Sequence, residues 1–397
     1  MKLTRLFNEF FASERAGGML LILCTAISIV AANSFFQNGY LSIWDFQIAG
    51  HSSTYWINDG LMTIFFLLIG LELEREIYQG EISNLENASL PIVAAIGGML
   101  LPAGLFLLFN FGTSTQSGIG IPIATDIAFA IGILSLLGSR IPGSLKILLT
   151  AIAVIDDLGA IMVIAVFYTA SLALTNLLIA MAIFGLLLML NRLKVHTLIP
   201  YLLGGIIMWY FVWRSGIHPT ITGVLLAFVI PFRDGGEKSP SYILQHWLHK
   251  PVAFLILPLF ALANTCITVD GSWHAVLNQA NSLGILAGLI VGKPLGILLF
   301  SIAAVTVGLC ELPHDIRWKD IFGLGLLCGI GFTMSIFVTL LAHEQQNVIT
   351  QSKIAILIAS IVSGTLGLLW LRMTTRTPYL SVNNTTEGLE PTAVNRM

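Results

Sequence analysis

Apolar residues run along this chain in long blocks separated by short polar stretches. The blocks fall at residues 16–34, 57–77, 90–111, 118–138, 145–169, 172–190, 198–213, 217–231, 251–268, 282–306, 320–342 and 352–372. A helix needs roughly 20 apolar residues to cross a bilayer, and most of the blocks are near that length. The pattern predicts an all-α polytopic membrane protein with twelve transmembrane helices. The pair at 198–213 and 217–231 is the shortest. Short loops leave no room for a separate soluble domain, so residues 1–376 read as one transmembrane domain and 377–397 as a polar tail. The apolar run from Gly17 to Ala32 follows Lys2, Arg5 and Arg15. It reads as an uncleaved first span, because many more spans follow.

One loop has a different period. Tyr40, Ser42, Trp44, Phe46 and Ile48 alternate with Leu41, Ile43, Asp45, Gln47 and Ala49, between Gly39 and Gly50. Such alternation between turn residues predicts a strand or β-hairpin at 40–55, outside the membrane. An irregular loop with interfacial aromatics is the alternative. Two blocks are also interrupted. The fourth contains Gly118-Ile-Gly120-Ile-Pro122-Ile-Ala-Thr125-Asp126, and the eleventh contains Gly323-Leu-Gly325 through Gly329-Ile-Gly331-Phe-Thr333. Each is the middle member of a three-span unit, and the two units have opposite topology. Paired broken helices in inverted repeats point to a transporter site, although glycine also serves simple close packing of membrane helices.

Composition narrows the class further. Of 397 residues, 56% are hydrophobic and 10% charged, with Lys+Arg 19 and Asp+Glu 21. A soluble domain carries about 25% charged residues. A formal net charge of -2 offers no basic patch for nucleic acid. Cys24, Cys266, Cys310 and Cys328 lie in or beside apolar stretches without metal or disulfide spacing, and read as small buried hydrophobes. The basic residues also orient the chain. With both termini in the cytoplasm, only Arg214 and Lys353 of the 19 Lys and Arg fall in outside loops, and Lys293 falls within a span. That asymmetry fits the positive-inside rule and supports twelve spans with both ends inside.

Asp126, Asp156, Asp157 and Lys293 stand out because each lies well inside an apolar block. Each costs roughly 2.5–3.5 kcal/mol at the bilayer centre unless paired, neutralised or hydrated. A static ion-pair cluster that staples helices is the bland reading, but it does not explain why two acids adjoin in sequence. Asp156 and Asp157 differ by about 100° around a helix and so face different neighbours. In a low dielectric they still repel, so the pair favours holding a proton or a cation over holding neither. That competition is the physical basis of proton–cation exchange. Carboxylates, the Thr125 hydroxyl and carbonyls of a broken helix are hard oxygen ligands. The chain lacks the acidic cage of a calcium site and a His/Cys cluster for zinc. The transported ion that fits is Na+ or Li+ at Asp156 and Asp157, with K+ left open by these residues. Asp126 and Lys293 suit the partial charges that a broken helix exposes. Lys293 also has the charge to pair with Asp156.

At these residues the chain resembles the NhaA family of bacterial sodium/proton antiporters. The matching stretches are Trp56-Ile-Asn-Asp59, Gly70-Leu-Glu72, Ala124-Thr125-Asp126-Ile-Ala-Phe129, Ile155-Asp156-Asp157-Leu-Gly159-Ala160, Gly292-Lys293-Pro294-Leu-Gly296 and Cys328-Gly-Ile-Gly331-Phe-Thr-Met-Ser335. They run in family order over nearly the whole chain apart from the tail. The resemblance implies twelve spans in inverted repeats, with the fourth and eleventh broken and crossing. It implies electrogenic export of Na+ (or Li+) in exchange for protons, for Na+ and pH homeostasis, with no cofactor, no enzymatic reaction and no organic substrate. Asp157 is then the principal cation and proton site, Asp156 its partner, and Thr125 a lining residue. Lys293 pairs with Asp156, and Asp126 and Lys293 compensate helix ends. The resemblance also implies a homodimer joined through the outer hairpin, and a pH response involving Glu72, Arg75, Glu76, His218, His246 and His249. Gln245 stands where a glutamate is expected and Glu74 where a basic residue is common, which alters the charge balance of that region. The competing function is a sodium-coupled symporter of an organic solute, which requires a larger polar pocket than these clustered groups suggest. An intramembrane aspartyl protease is a third reading, and leaves Lys293 and the two interrupted spans unexplained.

Overall fold

The computed structural model describes residues 2–80, 83–168, 172–268 and 276–375. The expected tail over 377–397 lies outside them. Apart from one small ladder, the regular elements of the described chain are helices. Its helices are α1 (Lys2–Ala32), α2 (Gln37–Trp44), α3 (Met62–Gln79), α4 (Leu85–Asn110), α5 (Ile127–Ser135), α6 (Gly143–Phe167), α7 (Leu174–Arg192) and α8 (Ile199–Ser215). They continue as α9 (Ile221–Val229), α10 (Pro240–Pro251), α11 (Leu257–Asn264), α12 (Ala280–Leu286), α13 (Lys293–Thr306), α14 (Trp318–Cys328), α15 (Phe332–Ala342) and α16 (Gln346–Thr374). Among the described residues, seven helical stretches are long and apolar enough to cross a bilayer, and counting the bent pair α14 and α15 gives up to eight.

Proline and glycine shape the bundle locally. Widened π turns at Val252–Ile256 and Ala287–Gly292 lie just before Pro258 and Pro294. Proline has no N–H for the preceding turn, so the ladder loosens there and resumes as α11 and α13. The helix bearing His246 and His249 also starts earlier than the apolar block at 251–268 suggests. It begins at Pro240 and runs as one 25-residue stretch to Asn264. Polar positions on α10 hid this extension from an apolar window.

Helix packing is close where side chains are absent. A Cβ on Gly296 of α13 would lie 2.1 Å from the Gly97 carbonyl oxygen of α4, so the two backbones touch. Gly223 of α9 meets the Thr63 carbonyl of α3 in the same way, at 2.3 Å. Small residues permit such contact between membrane helices. The main apolar core joins most of the helices, and a second cluster from α3, α7, α8 and α9 centres on Leu71, Tyr201, Met208 and Ala227.

The loop expected to be a strand or hairpin over 40–55 is different in its first half. Residues Gln37–Trp44 are helical, and antiparallel pairing is confined to Gln47–Ile48 (β1) with His51–Ser52 (β2). Helical spacing places Tyr40 and Trp44 on one face, with ring centroids 5.7 Å apart. The Tyr40 hydroxyl then lies 3.0 Å from the Leu262 carbonyl oxygen and 2.9 Å from Ser28 Oγ. This docking onto α1 and α11 overrides the period-two pattern.

Candidate functional site

Two interruptions meet at the centre of the site. After a 3-10 turn at Gln116–Gly120, the chain is non-helical until α5 begins at Ile127. Pro122 cannot donate to a helical ladder, which favours this break. The axes of α14 and α15 diverge by 48° across the Gly329–Gly331 break. The breaks touch: Asp126 N donates to the Ile330 carbonyl at 2.7 Å, and Ser335 Oγ to the Ile121 carbonyl at 2.7 Å.

Charged side chains occupy the exposed helix ends. Asp126 caps α5, its Oδ1 accepting from Phe129 N at 3.0 Å. Its Oδ2 accepts from Thr333 N at 3.0 Å and from Thr333 Oγ1 at 2.5 Å, at the start of α15. One carboxylate thus serves the positive ends of two helices. On the other side, Lys293 Nζ donates to the Ile123 carbonyl, where the broken segment presents oxygen rather than N–H.

The neighbouring acids on α6 have different surroundings. Asp156 is fully buried, and its Oδ2 lies 2.7 Å from Lys293 Nζ. The same oxygen accepts from Thr125 Oγ1 at 3.0 Å, and that hydroxyl also lies 3.0 Å from the Cys328 carbonyl. A hydroxyl has one proton to donate, so these two contacts compete. Asp157 is 1% exposed, and neither of its carboxylate oxygens has a hydrogen-bond partner among the described residues. It lines a cavity of ≈ 40 Å³ together with Asp126, Thr333, Glu72 and His249.

Some of the expected pH-response residues lie near this cavity and one does not. Glu72 and His249 line it. Arg75 sits 5.3 Å over the Tyr242 ring, and Tyr242 stacks on His246 at 6.3 Å. Glu76 is half-buried on the same helix, α3. His218 is elsewhere: its Nε2 lies 3.4 Å from Asp59 Oδ1, and its Nδ1 lies 2.8 Å from Thr220 Oγ1. Asp59 precedes α3 and Glu72 lies in the second half of that helix, 13 residues on, or about 20 Å at 1.5 Å per residue.

Several buried polar residues have contacts that their sequence positions did not predict. Thr333 holds Asp126. Its hydroxyl beside the Gly329–Gly331 break was the available signal. Glu74 is 4% exposed and accepts from Ser241 Oγ at 3.0 Å. Only the fold brings that pair together. Lys353, expected in an outside loop, lies inside α16 and is 8% exposed. The helix starts at Gln346, among polar residues that an apolar window excludes.

A membrane bundle in which two interrupted segments meet around buried carboxylates and a lysine has the make-up of a secondary ion transporter. Known proteins narrow that class. Residues 8–371 match the family model described as Na+/H+ antiporter 1. The Na(+)/H(+) antiporter NhaA 1 of Flavobacterium johnsoniae is 66% identical over 372 residues, covering 94% of this chain and 98% of that protein. The NhaA antiporter of Flavobacterium psychrophilum is 62% identical over 97% of this chain and 100% of its own length. The one from Vibrio cholerae is 47% identical over 93% and 97%. The chain belongs to this family of Na+/H+ antiporters. The sodium proton antiporter MjNhaP1 of Methanocaldococcus jannaschii shares the fold at a TM-score of 0.54, with 15% identity over 95% of this chain and 99% of that one.

Proposed function

We propose that the protein exports Na+ or Li+ across the inner membrane in electrogenic exchange for protons, using Asp157 as the principal shared site. The carrying observation is Asp157 itself: a buried carboxylate with no hydrogen-bond partner among the described residues, opening on a small cavity. An ionised carboxylate there lacks compensation and gains from taking a proton or a cation. Because one group holds either, loading one ion expels the other.

Asp156 and Thr125 complete the oxygen set. Lys293, paired with Asp156, governs how freely that acid turns toward the ion. More protons than Na+ ions move in each cycle, which makes the exchange electrogenic. Asp126 and Lys293 hold the broken ends in register meanwhile. The twelve-span count, the inverted repeats and the crossing of the fourth and eleventh spans belong to this reading, with both termini in the cytoplasm. Glu72 and His249 then stand at the cytoplasmic entrance, with Arg75, Glu76 and His246 close by as the pH-responsive group, and His218 acts from the opposite side. Two copies join through the outer segment that carries β1 and β2. A cavity of ≈ 40 Å³ suits an ion and a few waters. A pocket for an organic solute occupies about 300–1,000 Å³, which weighs against a symporter.

Everted vesicles with a pre-formed pH gradient provide the test. Addition of Na+ or Li+ without organic solute should collapse the gradient in vesicles containing the native protein. Asp157→Asn should abolish the response while the protein remains folded in the membrane. Substantial Na+-dependent proton movement by Asp157→Asn would reject Asp157 as the shared site.

A further inference from the structure

A second cavity lies away from the ion site, on the membrane face between α13, α14 and α16. Its volume is ≈ 510 Å³, and its lining includes Pro294, Leu295, Phe322, Leu326, Leu369 and Trp370. All ten of its lining residues are apolar. Phe322 and Trp370 hold its end together, edge to face at 5.0 Å. The Trp370 indole donates to the Lys319 carbonyl at 2.9 Å, fixing Lys319 at that end. Lys319, Phe322 and Leu326 follow helical spacing on α14, so the lysine continues the groove's own stripe. On α16, Arg372 lies three residues beyond Leu369. Lys319 and Arg372 are both exposed. The nearby acid Asp320 is buried and is held by Arg317, whose Nε lies 3.1 Å from its Oδ2.

We propose that this groove is a binding site for an anionic phospholipid of the inner leaflet, with one acyl chain in the groove and the headgroup phosphate on Lys319 and Arg372. A hydrocarbon-sized channel ending in a tryptophan and two exposed cations matches a lipid from chain to headgroup. A second copy of the protein fits less well. Copies related by a two-fold axis along the membrane normal would bring the same pairs of cations to one level, where they repel. The choice of leaflet rests on the proposed orientation with both termini in the cytoplasm, and the site does not depend on the assignment of Asp157.

The probes are phosphatidylglycerol and phosphatidylcholine with brominated acyl chains, titrated into the full-length protein in detergent. The quenching lost on Trp370→Phe isolates the signal of the groove. One basic residue near an anionic surface changes affinity about fivefold. Phosphatidylglycerol should therefore quench Trp370 at concentrations at least about fivefold lower than phosphatidylcholine, and Lys319→Gln with Arg372→Gln should erase that preference. Equal quenching by the two lipids, or a preference that survives the double substitution, would overturn the proposal. So would disulfide cross-linking of two copies through Leu369→Cys, which would assign the groove to a protein contact. Native mass spectrometry of the unsubstituted protein is a check that requires no variant: preferential retention of phosphatidylglycerol supports the site, and equal retention of both lipids counts against it.

Discussion

Asp156 and Asp157 adjoin in sequence, yet the fold treats them oppositely. Asp156 is engaged by Lys293 and Thr125, whereas Asp157 faces the cavity. The 100° turn between helix neighbours is enough to give the two acids different surroundings. Both acids and Lys293 were legible in sequence because a charge inside an apolar block is conspicuous. Thr333, Glu74 and Ser241 were not, because a hydroxyl costs little in such a block and Glu74 sits near a helix end. The buried pair makes a stability prediction. Removing one partner of a buried pair leaves an uncompensated charge and costs about 3–5 kcal/mol. Lys293→Met and Asp156→Asn should therefore each lower the melting temperature of the detergent-solubilised protein, and the double variant should recover much of the loss. Equal additive losses would mean that the two groups are not coupled. Asp156→Asn should still retain part of the exchange, with altered charge movement in a membrane-potential assay, because Asp157 remains. Complete loss of exchange with intact Na+ binding would argue against a simple pairing role for Asp156.

At the scale of elements, apolar blocks located most helices, and Gly/Pro runs located both breaks. Two features escaped because tertiary contacts decided them. The Tyr40 and Trp44 face turned a period-two stretch into α2, and α10 extended a span through polar positions. Glycine placement gave no sign of which backbones touch. The Gly97–Gly296 crossing matters to the site, since Lys293 is three residues before Gly296. Gly→Ala normally favours a helix by about 1 kcal/mol. At Gly296 the new Cβ would meet the Gly97 carbonyl, forcing α4 and α13 apart. Overpacking of this kind costs about 1–3 kcal/mol. Gly296→Ala should lower both the melting temperature and the exchange rate by moving Lys293 relative to Ile123. Gly104→Ala on α4 is the control, because no atom outside its immediate chain surroundings lies within 4 Å of the added Cβ. It should be neutral or slightly stabilising. If Gly296→Ala behaves like Gly104→Ala, the crossing does not position the lysine.

For the whole molecule, the proposed competition of two ions at one centre makes the proton count measurable. When binding of Na+ displaces n protons, linkage requires the logarithm of its half-saturating concentration to fall by n for each unit rise in pH, in the range where the site is protonated. If Asp157 alone exchanged a proton, the limiting slope would be 1 and one-for-one exchange would move no net charge. Electrogenic exchange requires a second linked proton, and we place it on the buried Lys293–Asp156 pair beside Asp157. The native protein should therefore show a slope steeper than 1 and approaching 2 on the acid side, together with a current across reconstituted vesicles. Lys293→Met combined with Asp156→Asn removes both members of the pair while leaving Asp157 in place. It should reduce the slope to 1 and suppress the current more than the exchange. A native slope of 1 accompanied by a sustained current would place the second proton on another group. The half-buried Glu72 on the same cavity would then be the next residue to substitute.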